Sequence, residues 1–154
     1  MKTQSTKPNT SNITFALTAI EVSEYSFLTP EEPIQGEPKF FLEIFMAQRF
    51  SLQDKIVVNN CTVIIFLDEK KDKQLCKLTT KILFQVENLS DFIITSTDGK
   101  MKLKNECVFP LNSVTISTVR GILFMKNAGT YLNGTIIPIM DVTKMQPKQV
   151  EPND

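Results

Sequence analysis

The chain has 154 residues, 42% of them hydrophobic and 22% charged, which suits one globular domain with a substantial core. Seventeen basic side chains balance seventeen acidic ones, so no long-range field draws the protein toward nucleic acid or an anionic membrane. Histidine is absent, which removes Ser-His and Cys-His nucleophile pairs, histidine-ligated metals and the commonest general acid/base, and with them most enzyme classes.

Residues 1–12 are Lys, Thr, Ser, Asn, Gln and Pro with no apolar h-region. They read as a flexible tail containing neither a signal peptide nor an anchor, which points to the cytoplasm and to no stable membrane insertion. From Ile13 to Phe27 the apolar residues alternate, as in a half-buried antiparallel strand, but the parity switches between Leu17 and Ile20, so a bulge is expected near Ala19. Thr29 to Pro38 holds three prolines and a glycine and reads as a crossover loop.

A second run, Lys39 to Phe50, places Phe40, Leu42, Ile44 and Met46 on one face and leaves Phe41 and Phe45 on a mixed face with Lys39, Glu43 and Arg49. The third, Ile56 to Leu67, is apolar on both faces toward its end and reads as a central strand, closed by the charged turn Asp68 to Lys73. In the fourth, Leu75 to Leu89, Cys76, Leu78, Thr80, Ile82, Phe84 and Val86 point inward, and Leu83 is the apolar exception outward. Asp98-Gly99 marks a two-residue turn between Ile93-Ile94-Thr95 and Met101-Lys102-Leu103, which predicts a small hairpin.

From Asn112 or Ser113 the period becomes helical, with Ile116, Val119, Ile122 and Leu123 in one stripe ending near Gly129. Gly121 inside this helix costs about 1 kcal/mol relative to Ala, so another backbone is expected to cross there. Residues 146–154 are polar, carry two prolines and read as a second flexible tail, leaving a single domain over 13–145.

Cys61, Cys76 and Cys107 are widely separated and lack a C-x-x-C partner, so they read as reduced, mostly buried thiols and not as a metal site. Glu31-Glu32 and Asp68-Glu69 sit in loops where a solvated turn is the favoured reading over an acid/base dyad. With only five glycines and no phosphate-cradling motif, nucleotide binding has little to be built from, and no cofactor is expected. Arg120 and Lys126, near the end of the helix, favour its dipole without any ligand. The eleven phenylalanines say more: Phe41, Phe45 and Leu83 on the less buried sheet face predict either an oligomer interface or adhesion to extended apolar chains, through a groove or by strand addition.

The order of these elements resembles the SecB family of export chaperones. Three segments carry the likeness: Ser23-Glu24-Tyr25-Ser26-Phe27 followed by Pro30 and Pro33, Phe109-Pro110 at the entry to the helix, and Gly129-Thr130-Tyr131 with Ile137-Pro138 and Asp141 after it. The resemblance implies an α+β protomer: a four-stranded antiparallel sheet, a long helix packed on one face and a short C-terminal segment. It further implies a homotetramer (a dimer of dimers) with no catalysis and no cofactor, acting as an ATP-independent holdase for unfolded precursor polypeptides, chiefly for protein export through the SecA translocase.

Ile34, Phe41, Phe45, Phe124 and Tyr131 are the expected client contacts, and Glu24 and Leu83 the expected SecA contacts. Leu28 and Gln85 stand where the family pattern is acidic, and Pro147 interrupts the chain where the family continues into a second helix. The neutral charge and these departures fit a divergent member, for which a role dedicated to an antitoxin or other single partner is the alternative. A non-chaperone oligomeric interaction module is the competing class.

Overall fold

A computed structural model describes residues 12–145 and 148–149 of the chain. Four long strands, β1 (Phe15–Phe27), β2 (Phe41–Ser51), β3 (Ile56–Phe66) and β4 (Gln74–Val86), form an antiparallel sheet in the order β1-β4-β3-β2. A small hairpin follows, β5 (Ile93–Thr95) and β6 (Met101–Leu103), then one long helix, α1 (Asn105–Lys126). Last comes a two-residue strand, β7 (Lys148–Gln149), which pairs in parallel with the free edge of β2 at Ala47 and Gln48. The fold is therefore α+β, with the helix on one sheet face. The rest of the two expected tails lies outside the described residues, while Asn12 is held by its carbonyl, which accepts a hydrogen bond from Asn88 Nδ2 at 2.9 Å.

The alternation read from sequence sets which side chains face the helix. In β3 the inward set is Val57, Asn59, Cys61, Val63 and Ile65, and in β4 it is Cys76, Leu78, Thr80, Ile82, Phe84 and Val86, all fully buried. α1 packs on these two strands. In β1 the register with β4 shifts between Leu17 and Ala19, where the bulge was expected, and again between Val22 and Glu24. The two bulges turn Phe15, Leu17, Ile20, Val22, Tyr25 and Phe27 to the helix side, opposite Val86, Phe84, Ile82, Thr80, Leu78 and Cys76.

Three sequence expectations are corrected. The helix begins at Asn105, not at Asn112 or Ser113, and Pro110 lies inside it. Its apolar stripe runs back through Ile116 to Leu111 and Cys107, and burial of that stripe outweighs the loss of one early backbone donor at Pro110. Among the described residues no element crosses at Gly121, and nothing lies within 4 Å of the position a Cβ would take. The hairpin turn is longer than two residues, since the Ser96 N–H donates to Lys100 O and Gly99 closes the loop at φ +82°.

Asn112 is no cap. It is buried with Gln48, Asn59 and Thr115 in a polar cluster between sheet and helix. Gln48 Nε2 donates to Asn59 Oδ1 (2.8 Å), and Asn59 Nδ2 donates to Thr115 Oγ1 (2.9 Å) and Asn112 Oδ1 (3.4 Å). Asn59 is the hub, using its acceptor on β2 and its donors on α1. Asn59→Ala strands several buried polar atoms at once and is expected to destabilise the fold by about 3 kcal/mol, measured by urea unfolding.

The three thiols are free and buried, as read from the sequence. Burial pushes Cys61 and Cys107 up to about 12 and Cys76 up to about 11, against an ordinary value of 9.0. Below pH 9 both folded and unfolded thiols are protonated and the stabilisation is intact. Above it the unfolded chain ionises first, so stability should fall between about pH 9 and 12. Unfolding titrations across that range should show the decline, and a Cys61→Ala variant should show less of it.

Candidate functional site

One end of the molecule gathers most of the features singled out in the sequence. The crossover loop leaves β1 at Leu28, whose N–H donates to Leu75 O at 2.8 Å, and arches over the start of β4. Beneath it lies a cleft of about 850 Å³ with Leu28, Pro33, Ile34, Leu67 and Leu75 among its apolar lining and Glu31, Glu32, Asp72 and Lys73 among its polar lining. The three prolines restrict the loop backbone, which helps the cleft persist without an occupant.

The helix ends at the same place. Tyr25 Oη donates to Lys126 O or Asn127 Oδ1, 3.2 Å from each, and Cys76 Sγ lies 3.8 Å from the same Asn127 oxygen. Gly129, at φ +76°, then turns the chain so that Tyr131 reaches back to the loop. Its hydroxyl donates to Leu28 O, and its ring lies 5.0 Å from that of Phe27. Partial burial, with a smaller effect of the neighbouring Cys76, raises the phenol pKa of both tyrosines above the ordinary range.

The expected client contacts divide. Ile34 lines the cleft and Tyr131 braces the loop beside it. Phe41 and Phe45 lie on the sheet face away from the helix, Phe41 half-buried opposite Phe66 and Phe45 54% exposed opposite Thr62. Phe124 is exposed on the solvent side of α1, one turn before Asn127. Ile34 is thus part of the cleft wall and Tyr131 lies outside that lining, bonded to the loop at Leu28, whereas Phe45 and Phe124 are on opposite sides of the sheet.

Glu24 and Leu83 do share the outer face. Glu24 Oε2 is 2.8 Å from Lys77 Nζ, and Leu83 sits between Ala19 and Val58. Sequence reasoning missed Leu28, Leu67 and Leu75 as cleft residues, since each adjoins a strand's apolar run and reads as its end.

A second surface was not anticipated. Leu17, Ile20 and Val22 face the helix side yet remain 39%, 48% and 40% exposed, because α1 covers β3 and β4 and stops short of the edge strand. Along the helix, Ser113, Ser117 and Gly121 form an exposed small-residue stripe flanked by Val114, Thr118, Ile122 and Met125, with no charge among the seven. With the apolar residues of its buried face, α1 reaches a mean hydropathy of 1.4 over part of its length, a value that also suits a membrane span; here, however, the helix buries that face on the sheet. Among the described residues no cluster of three or more His, Cys, Asp or Glu is placed to hold a metal ion.

Tyr131→Phe removes the hydroxyl that ties the segment after the helix to the crossover loop. It should cost about 1 kcal/mol and raise amide exchange around Leu28, read by exchange mass spectrometry.

The sequence matches no protein-family model and no curated protein. Among solved structures, it is similar to the Mycobacterium tuberculosis Rv1957 SecB-like chaperone, a structure in complex with a ChAD peptide from the Rv1956 HigA1 antitoxin. The TM-score is 0.56 at 12% identity, over 82% of this chain and 90% of that one. The likeness shows that the chain has a SecB-like α+β fold.

Proposed function

We propose that this protein is an ATP-independent holdase that binds extended apolar segments of unfolded polypeptides and performs no catalysis. The observation that carries the reading is the open cleft beneath the crossover loop, in a protein with a SecB-like fold. Ile34 and Tyr131 at the cleft, with Phe41 and Phe45 on the adjoining strand and Phe124 on the helix, are the proposed client contacts. The cleft is mixed: Leu28, Pro33, Ile34, Leu67 and Leu75 offer burial that does not demand one sequence, and Glu31, Glu32, Asp72 and Lys73 line it beside them.

The protein is proposed to work in the cytoplasm as a homo-oligomer, a dimer of dimers. Leu17, Ile20 and Val22 together with the uncharged helix stripe support assembly, since an apolar surface spread over a strand and a helix gains from being covered.

Two client ranges are open to such a holdase. A dedicated partner, such as an antitoxin, is favoured over export by the outer face: Glu24 is neutralised by Lys77, Glu21 stands opposite Lys81, and the family's acidic positions hold Leu28 and Gln85. Export is the second reading, with SecA docking on Glu24 and Leu83.

The test combines light scattering with aggregation suppression. The protein should run as an oligomer, form a stable complex with a reduced, carboxymethylated polypeptide, and suppress aggregation of an unrelated denatured protein. A monomer indifferent to the polypeptide sinks the holdase. Phe45→Ser and Ile34→Ser should each weaken polypeptide binding about three- to tenfold with unfolding midpoints nearly unchanged, since loss of partly buried apolar area on binding is worth roughly 1 kcal/mol.

A further inference from the structure

We propose that Lys148–Gln149 is a built-in occupant of a strand-addition site on the free edge of β2, and that an extended polypeptide must displace it. The inference rests on the polypeptide-binding reading above and identifies both a second contact surface and its competitor.

The two edges of the sheet are built differently. β1 is bulged twice, and at those bulges Thr18 Oγ1 donates to Leu83 O and Ser23 Oγ to Thr79 O, each at 3.2 Å. Bulges interrupt the regular row of backbone groups that another strand would need as a template. β2 instead runs in unbroken register against β3 from Phe41 opposite Phe66 to Ser51 opposite Ile56. It contains no proline and no lysine, and of its two charged residues Glu43 is already paired with Lys71. The usual protections of an exposed edge are absent.

What flanks that edge suits an apolar chain. Phe41 and Phe45 project on the outer face, and Leu42, Ile44 and Met46 on the helix side, so an added strand meets apolar neighbours on both faces. Only Ala47 and Gln48 are paired there, with Lys148 and Gln149. Among the described residues, 41–46 have no strand partner on that side, a run of about 20 Å at 3.3 Å per residue. A two-residue parallel ladder is short enough to exchange with a longer one that continues along Phe41 to Met46. While it is in place it lowers the fraction of binding-competent edges, and the apparent affinity for an extended chain falls by that fraction.

The test compares the full chain with a Lys148→Pro/Gln149→Pro variant, in which two backbone donors of the occupying strand are removed. The probe is labelled, reduced and carboxymethylated α-lactalbumin, read by fluorescence anisotropy. The variant should bind about three- to tenfold more tightly. Hydrogen exchange should show Phe41–Gln48 gaining protection when the probe is bound. Equal affinity in both chains, or protection confined to the crossover loop, overturns the edge inference and leaves the polypeptide-binding reading standing. Failure of both chains to bind the probe overturns both.

Discussion

A single α-helix is about 10 Å across, and four strands spaced about 4.8 Å apart are wider than that, so one helix cannot roof the sheet of this protein. Most of its surface chemistry follows from that mismatch. α1 lies over β3 and β4, whose inward residues are fully buried, and leaves both edge strands to be covered by something else. The segment after the helix adds cover of its own: Leu132 and Ile137 are buried, and Arg120 holds it by donating to the carbonyls of Ile137 and Pro138 at 2.8 and 3.1 Å. On β1, Leu17, Ile20 and Val22 face the helix side and stay exposed, uncovered by the described residues.

Within that arrangement the helix still needs a fixed position, because an apolar stripe on an apolar sheet can slide. The amide of Asn59 prevents this by bonding at once to Gln48 on the neighbouring strand and to Thr115 and Asn112 on the helix. Shifting the helix by one turn would break all of the bonds to α1 and leave the amides buried without partners. The cluster is not fully satisfied even in place, since Gln48 Oε1 and Asn112 Nδ2 have no protein partner. Its contribution is therefore to register more than to net stability.

Much of this was legible in the sequence wherever a local period decided the structure. The four strands, the inward faces of β3 and β4 and the bulge near Ala19 all follow from alternation that burial then enforces. The helix start was misread because Pro110 and Asn112 are strong local boundary signals, and the stripe through Cys107 and Leu111 prevails only once the sheet is there to bury it. The exposure of Leu17, Ile20 and Val22 was illegible for a related reason: alternation tells which face a side chain takes, not whether anything covers it. Of the candidate site, Ile34 lies in the cleft wall and Tyr131 is bonded to the loop at Leu28, positions that the alternation of the strands could not give because both residues lie outside it. Leu67 and Leu75 needed the fold, since nothing local says that a charged turn will sit under a proline-rich arch.

Gly121 separates two quantities that usually move together. With open space where its Cβ would be, an alanine there fits the protomer and raises helix propensity by about 1 kcal/mol. The same methyl group would stand on the exposed, uncharged stripe with Ser113 and Ser117. Under the assembly proposed above, a more stable monomer and a tighter assembly would make opposite demands on one position, and glycine would be the residue that favours assembly.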